Sequence, residues 1–288
     1  MMKIPNSSHI EHVYRVLAER EALRRRSASL PKSHPEQQFY AVDNSCQHRK
    51  DNRYANILAY DRTAVKVNGK YLNANVVEDG KGGMWIAAQA PLPQTFDTFF
   101  KAIYTGAATG RKPRDVLLVQ LTGFEERGIV KADPYMSHKM KDLGLHISPS
   151  KRLEKLSSVT TEITLEGDRQ VAVHHYHFDA WPDHGVPKGS AVRALKALVE
   201  EIEDKRKTLG CEVWVHCSAG IGRTMTFIAL SSLLNPGEPH LPSLVGPFPR
   251  DLQDDRVART VDTIRECRGV PVQTMEQLRL IYDMQGVL

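Results

Sequence analysis

The chain has 288 residues, a formal net charge of +5, and 41% hydrophobic and 25% charged residues. This length and composition are typical of a folded globular protein and exclude a chain that is disordered throughout. The positive charge favours an acidic partner such as nucleic acid, anionic lipid or phosphorylated protein, and charge alone does not choose among these.

The cysteines and the apolar runs indicate in which cellular compartment the protein is expected. The four cysteines, Cys46, Cys211, Cys217 and Cys267, show no paired spacing, so neither a disulfide framework nor a zinc site is expected. A reducing, cytoplasmic compartment is the simplest prediction. No run of about 18 apolar residues occurs, and the first ten residues lack an apolar segment of signal-peptide length. We expect neither a membrane span nor a secretory signal.

The first predicted element is an amphipathic helix near the N-terminus. Four residues fall on one helical face: Ile10, Val13, Tyr14 and Leu17. The run Arg24–Arg26 lies near the end of this helix, where we expect solvated side chains, with a docking or kinase-recognition site before Ser27 as the alternative. Residues 27–36 are predicted to form a linker.

Beyond the linker, short apolar runs alternate with helical patterns. The continuous apolar run at 115–121 is typical of a strand in the middle of a sheet that is covered on both faces. Residues 169–178 alternate between two faces. One of these faces carries Val171, Val173, His175 and His177.

The C-terminal half continues this alternation. Ser190 is predicted to cap a helix and Gly210 to end it. A strand at 212–215 leads into a glycine-containing turn and another apolar helix, and five prolines between positions 236 and 249 exclude regular structure there. The mixture of strands and helices indicates an α/β or α+β fold with helices on the faces of a sheet.

The segment VHCSAGIGRT, residues 215–224, lies between a predicted strand and a predicted helix. Small residues and glycines let such a loop curl so that backbone N–H groups point inwards, and the helix N-terminus adds partial positive charge. An oxyanion such as phosphate fits this arrangement. The loop residues expected to contact it are Ser218, Ala219, Gly220, Ile221 and Gly222.

Side chains of the same segment supply the expected chemistry. Arg223 can grip two phosphate oxygens with its planar guanidinium. The same positive field favours the thiolate of Cys217, which would make it a nucleophile at neutral pH. Thr224 can donate a hydrogen bond to the sulfur, and His216 can hold the loop and its charge balance. Considered alone, Cys217 is more typical of a buried core residue, and only the full segment favours a nucleophile.

HCSAGIGRT resembles the signature loop of the cysteine-based protein tyrosine phosphatases, which is His-Cys, five residues, Arg and then Ser or Thr. The resemblance implies a twisted, mixed and highly curved central sheet flanked by helices. It also implies hydrolysis of phosphotyrosine on proteins through a phosphocysteine intermediate, without metal or other cofactor. It covers roughly Glu36 to the C-terminus, which divides the chain into an N-terminal helical extension and linker, 1–35, and a catalytic domain, 36–288.

Two further segments resemble loops of this family. The WPD segment at 181–183, with Trp181 as a supporting residue, is similar to its mobile acid loop. The likeness implies that Asp183 protonates the leaving oxygen and then deprotonates water, which one carboxyl can do in turn. Gln273 and Gln277 resemble the loop that positions this water, with Gln277 in the supporting role.

Other matches concern the rim of the expected pocket. Tyr54 resembles the tyrosine that packs against the phosphotyrosyl ring, a pairing that contributes about 0.5–1.5 kcal/mol beyond area burial. Asn56 stands where the family usually has aspartate, so a peptide would meet hydrogen-bond acceptors without that charge. Glu126 can pair with Arg223 and orient it, while Lys131 can contact the acid loop when it closes.

Three other functions stay open at this point. A phosphatase of the same class could act on phosphoinositides or on phosphoserine and phosphothreonine, although the loop lacks the lysines that polyanionic head groups favour. A module that binds phosphotyrosine without cleaving it is weaker, because nucleophile, arginine and acid are all present. Nucleic-acid binding rests only on net charge.

The histidines His174, His175 and His177 invite a metal interpretation, but no fourth ligand stands nearby in sequence. We expect them to be strand residues. The expected partners are phosphotyrosine-containing proteins, with no metal, nucleic acid or membrane span, and the oligomeric state is left open.

Overall fold

The computed structural model describes residues 6–182 and 185–286. The helices are α1 Ser7–Ala28, α2 Pro35–Tyr40, α3 Asp43–Gln47, α4 Phe96–Thr105, α5 Ser190–Leu209, α6 Arg223–Leu234, α7 Arg256–Arg265 and α8 Met275–Gln285. The strands are β1 Ala74–Glu78, β2 Met84–Ala88, β3 Asp115–Gln120, β4 Glu125–Glu126, β5 Ile129–Val130, β6 Gly144–Ile147, β7 Lys151–Leu153, β8 Ser158–Glu166, β9 Gln170–Phe178 and β10 Glu212–His216.

One large mixed sheet organises the molecule. Its strands pair in the order β1-β2-β10-β3-β9-β8-β6, with β7 also on β8, while β4 and β5 form a separate two-stranded hairpin. The four central strands β2, β10, β3 and β9 run parallel, and the outer pairs are antiparallel. The apolar run predicted for the middle of the sheet is β3, between β10 and β9. The mixed sheet flanked by helices confirms the predicted fold class.

The sheet separates two hydrophobic cores. Helices α1, α5, α6, α7 and α8 cover one face, and α4 contributes to the core on the other. β9 alternates between them, because Val171 and Val173 lie in the α4 core whereas Tyr176 and Phe178 lie in the opposite one. This alternation confirms the face predicted for residues 169–178, and the strand ends at Phe178, shortly before the segment predicted to be the acid loop.

α1 shares the larger core. Ile10, Val13 and Leu17 are almost completely buried there, as their spacing predicts. The helix runs on to Ala28, so the predicted linker is shorter and begins after that residue. The division at residue 35 remains a prediction, but the helix before it packs in the same core as α7 and α8.

The arginine run was expected to be solvated, and this is wrong for Arg24. Its side chain is completely buried, with Nη2 2.7 Å from Asp262 Oδ1 and 2.5 Å from Glu266 Oε1, while its neighbours at 25 and 26 are exposed. Ser27 is also buried and donates a hydrogen bond to Glu36 at 2.6 Å. A kinase would therefore find Ser27 inaccessible in the folded chain.

The predicted ends of α5 and the predicted proline-rich loop can be compared with the structure. Gly189, not Ser190, is the N-cap residue of α5, whereas Gly210 ends the helix in the left-handed region, at φ 60°, as expected. Residues 236–249 contain neither helix nor strand, which confirms the effect of their prolines. This segment is fixed to α1, since Arg20 donates hydrogen bonds to the carbonyls of Gly246 and Pro247.

Candidate active site

The signature loop, defined as residues 217–222, joins the end of β10 to the start of α6. Four successive carbonyl oxygens of this loop accept hydrogen bonds from groups outside it. The pairs are Ser218 O with Ala90 N (2.9 Å), Ala219 O with Arg268 Nη2 (3.1 Å), Gly220 O with Arg268 Nε (2.9 Å) and Ile221 O with Val272 N (3.0 Å). Because N–H and C=O of a peptide unit point in opposite directions, the loop's N–H groups turn inwards, as an anion site requires.

Two glycines of the loop are required for space. Gly220 has φ 75°, and a Cβ at this position would lie 2.3 Å from Ala88 O, so the loop passes too close to β2 for any side chain. A Cβ on Gly222 would lie 2.9 Å from Gln277 Nε2 and 3.5 Å from Gln273 Oε1. The second glycine therefore makes room for the predicted water-positioning glutamines.

Cys217 lies at the base of this loop, immediately before the turn into α6. It is 4% exposed, and its Sγ accepts a hydrogen bond from Gly220 N at 3.3 Å. The hydroxyl of Thr224 is buried and has no hydrogen-bond partner among the described residues, so its expected bond to the sulfur is not formed here. The backbone of the loop thus donates a hydrogen bond directly to the sulfur.

His216 supports the loop from behind. Its Nδ1 lies 3.0 Å from Cys217 O, which can only accept, so Nδ1 carries the proton, and Nε2 lies 2.9 Å from the Tyr135 hydroxyl oxygen. Burial lowers the pKa of His216 to about 4, so the ring is neutral at neutral pH. It holds the loop through a hydrogen bond and not, as the sequence suggested, through charge.

Arg223 is fixed at the lip of the loop by Glu126. The two guanidinium nitrogens Nη1 and Nη2 bind the two carboxylate oxygens at 2.5 and 2.9 Å, with the side chains 14% and 10% exposed. The expected pairing is present and is bidentate, which sets the plane of the guanidinium. Nη2 also donates to Pro182 O at 3.3 Å, so the arginine contacts the start of the predicted acid loop.

Tyr54 and Lys131 meet at Ser218. The Ser218 hydroxyl donates to Lys131 O at 2.7 Å, and the Tyr54 hydroxyl oxygen is 2.8 Å from Ser218 Oγ. Since a serine hydroxyl has one proton, Tyr54 is the donor in the second bond. The phenol ring is thereby held across the signature loop, and Asn56 is exposed beside it.

The two glutamines have different positions. Gln277 uses its Oε1 within its own helix end, where it accepts from Gln273 N at 2.8 Å and from Thr274 N at 3.3 Å in a capping box. Gln273 is exposed and keeps its Oε1 near Gly222. Gln277 thus holds the backbone of Gln273, and the side chain of Gln273 faces the signature loop.

The predicted acid, Asp183, lies outside the described residues, as does the contact expected between it and Lys131. Trp181, two residues earlier, is 5% exposed, and its Nε1 donates to Gly185 O at 3.3 Å. This bond joins the two described ends of the segment that contains Asp183.

Most of the predicted residues surround one cavity of about 380 Å³. The site residues that line it are Tyr54, Asn56, Glu126, Lys131, Cys217, Ser218, Ala219, Ile221, Gly222, Arg223, Gln273 and Gln277. Four other predicted residues do not line this cavity: Trp181, His216, Gly220 and Thr224.

Sequence reasoning missed one functional residue, Arg268. This side chain is completely buried, and besides the two loop carbonyls it donates to Asn73 Oδ1 and Asn75 Oδ1, each at 2.7 Å. Burial lowers its pKa to about 10, which leaves it charged at neutral pH. Its hydrogen-bond acceptors are all uncharged, so no carboxylate neutralises this guanidinium behind the signature loop. A lone arginine at a helix end carried no signal of this position.

The histidines of β9 do not form a metal site. His174 binds Glu162 and Asp115 at 2.7 and 3.0 Å, and His175 lies 3.2 Å from the Tyr135 hydroxyl. In residues 6–182 and 185–286 no group of three or more His, Cys, Asp or Glu side chains is arranged to hold a metal ion.

Comparison with known proteins gives the same family along most of the chain. The family model for protein-tyrosine phosphatases matches residues 48–285. The chain is 30% identical over 247 residues to Tyrosine-protein phosphatase Lar-like of Caenorhabditis elegans, covering 81% of this chain and 10% of that protein. It is 29% identical over 199 residues to Tyrosine-protein phosphatase 3 of Schizosaccharomyces pombe, covering 64% of each.

Receptor-type tyrosine-protein phosphatase S of Gallus gallus is 30% identical over 270 residues, covering 86% of this chain and 16% of the relative. The chain thus spans only a tenth to a fifth of the length of several relatives. Within the described residues no helix is long and apolar enough to cross a membrane. With the family model matched from 48 to 285 and the signature loop built as an anion site, the chain belongs to the protein-tyrosine phosphatase family.

Proposed function

We propose that this chain hydrolyses phosphotyrosine in proteins through a phosphocysteine intermediate and without a metal ion. The observation that carries the proposal is the signature loop, whose carbonyls are bound from outside the loop and whose Gly220 N–H donates to Cys217 Sγ at 3.3 Å. Arg223, oriented by Glu126, supplies a guanidinium at the lip for two phosphate oxygens. Family membership supports the same reaction.

In the first step the Cys217 thiolate attacks phosphorus. The S–P bond forms as the bond between phosphorus and the tyrosyl oxygen breaks, and that oxygen leaves with the electron pair. Asp183 is assigned the proton that neutralises it. The inward N–H groups and Arg223 stabilise charge on the equatorial oxygens, which is the main task of an enzyme in phosphoryl transfer.

In the second step water attacks phosphorus and the S–P bond breaks. The thiolate is restored as the leaving group, the water proton passes to Asp183, and inorganic phosphate leaves. Gln273 is assigned the orientation of this water, because its Oε1 faces Gly222 at the cavity. One carboxyl thus serves as acid and then as base.

The rim of the cavity favours an aryl phosphate. Tyr54, held by its hydroxyl to Ser218, presents a ring against which a phosphotyrosyl ring can pack, and a phosphoseryl side chain is too short to use that contact. Phosphotyrosine-containing proteins are therefore the proposed substrates. We also assign the chain to a reducing compartment such as the cytoplasm, where a thiolate nucleophile is protected from oxidation.

The test measures p-nitrophenyl phosphate turnover with a chelator present. Cys217→Ser should lower kcat at least about 1,000-fold because it removes the nucleophile. The matched control is Cys211→Ser, a half-buried cysteine outside the cavity, which should retain the parent rate. Loss of activity with chelator, or full activity in Cys217→Ser, would contradict the mechanism.

Substrate class needs a separate measurement. We expect kcat/KM for phosphotyrosyl peptides to exceed that for phosphoseryl peptides and inositol phosphates by at least about 100-fold, since only the aryl ring reaches Tyr54. Tyr54→Ala should lower this ratio. A higher kcat/KM for inositol phosphates would contradict the proposed substrate and indicate a phosphoinositide phosphatase.

A further inference from the structure

The segment 269–273, which connects α7 to α8 and ends at Gln273, has an unusual backbone. Val270 and Val272 have φ 59° and 53°. This left-handed region is unfavourable for β-branched residues, and such conformations persist only where the surroundings impose them. Some part of the structure must therefore hold this segment in place.

α1 provides several of the holding contacts. The Tyr14 hydroxyl donates to Gln273 O at 3.1 Å, and Glu21 Oε1 accepts from Val270 N at 3.0 Å. Arg265 joins the two elements, since Nη1 donates to Leu17 O at 2.6 Å while Nη2 donates to Pro271 O at 2.8 Å. Residues of α1 thus hold the strained segment near both of its ends, at Val270 and at Gln273.

The opposite side of the segment is bound to the active site. Val272 N donates to Ile221 O in the signature loop at 3.0 Å, and Gln273 N donates to Gln277 Oε1 at 2.8 Å. The backbone of Gln273 is therefore held at both polar groups, its N–H by α8 and its carbonyl by α1. The direction of its side chain towards Gly222 follows from these two anchors.

We propose that α1 is a positioning element for the second chemical step and that Tyr14 is its positioning residue. Tyr14 touches neither substrate nor the reacting atoms and acts through the carbonyl of Gln273. The inference rests on the proposed function, because it assigns α1 to the hydrolysis of the phosphocysteine. An N-terminal helix far away in sequence thereby sets the rate of water attack without altering thiolate attack.

Tyr14→Phe tests this, because it removes one hydroxyl and leaves the ring. With p-nitrophenyl phosphate in stopped flow, the rate of the first nitrophenol release should remain within about two-fold of the parent. Phosphate release from the phosphoenzyme should slow about 3- to 10-fold, as for a lost positioning hydrogen bond. The phosphoenzyme isolated by acid quench should increase accordingly.

Tyr282→Phe is the matched control. Its hydroxyl, in the same helical layer, donates at 2.6 Å to Asp255, which lies outside the segment 269–273. It should leave both rates at the parent values, and melting temperatures of the two variants show whether either loses stability.

The outcomes separate the two ideas. A parent enzyme that forms no phosphoenzyme would overturn the proposed function itself. A parent that forms it, with Tyr14→Phe unchanged in phosphate release, would overturn only the role of α1. Equal slowing of both steps, or the same slowing in Tyr282→Phe, would show a merely structural effect and overturn it too.

Discussion

At the scale of single residues, Gly220 shows how strictly the signature loop is built. Two separate constraints apply to it: the positive φ of 75°, and the approach of Ala88 O to within 2.3 Å of any Cβ. The first costs roughly 1–2 kcal/mol for an ordinary residue. The second cannot be relieved by a rotamer change, because both atoms belong to backbone or Cβ.

Gly220→Ala should therefore displace the loop from β2 and reduce kcat/KM at least about 100-fold, since a misplacement of about 1 Å has that effect at a catalytic centre. Gly69→Ala is the control, because Gly69 has nearly the same φ, 74°, and no atom within 4 Å of its Cβ position. It should lose stability but retain kcat/KM. Equal kinetic losses in both variants would show that φ alone matters. The measurement is turnover of an aryl phosphate beside a thermal melt.

At the scale of elements, α1 is attached through buried charge as well as apolar contacts. Burial disfavours the charged form of Asp262, but the guanidinium groups of Arg24 and Arg20 outweigh this and lower the pKa of the carboxyl. Arg24 also binds Glu266, which accepts from the Tyr40 hydroxyl at 2.7 Å. The cluster joins α1 and α2 to α7.

Arg24→Leu should lower the free energy of unfolding by about 3–5 kcal/mol, because it leaves two buried carboxylates without their main cation. Arg25→Leu, one position along the same helix, removes an exposed charge and should change stability by no more than about 0.5 kcal/mol. Urea denaturation followed by circular dichroism measures both. Similar values for the two variants would mean that the cluster contributes little to stability.

At the scale of the whole molecule, buried histidines make stability depend on pH. Burial lowers the pKa of His216 to about 4 and that of His175 to about 3, from an ordinary value of 6.5. Both rings are neutral in the folded chain at neutral pH. In the unfolded chain they take up protons near pH 6.5, so the unfolded state binds more protons as the pH falls.

The free energy of unfolding should therefore decrease as the pH falls below about 6, by up to about 1.4 kcal/mol per pH unit for each histidine. His175→Gln should reduce this slope by about that amount between about pH 6 and 4.5. His240→Gln, which removes an exposed side chain, is the control, and the loss of slope in His175→Gln should exceed the loss in His240→Gln. Urea unfolding at several pH values gives the slopes, and a stability that rises on acidification would contradict the sign.

The sheet and the signature loop could be predicted from sequence because local patterns specify them. The apolar run of β3 and the glycines at 220 and 222 each act within a few residues. Arg24 and Arg268 could not be placed, since nothing near them in sequence separates a buried arginine from an exposed one. Arg24 meets Asp262 across 238 positions, and Arg268 reaches Asn75 across 193. Tyr14 was assigned to a helical face, but its bond to Gln273 depends on the assembled fold.

The carbonyl oxygens of the signature loop are held by hydrogen bonds from outside the loop, so the loop sequence alone does not fix its shape when it is moved into another protein. Their donors come from two other parts of the chain, one at Ala90 and one in the connection between α7 and α8, which holds Arg268 and Val272. A synthetic peptide of residues 215–224 would contain the backbone N–H groups of this loop and Arg223, but none of the donors that hold the carbonyls. Its backbone would remain a flexible coil, since fixing each residue costs about 1–2 kcal/mol of entropy. Oxyanion affinity is thus a property of the domain, and grafting it onto another scaffold requires the surrounding donors as well.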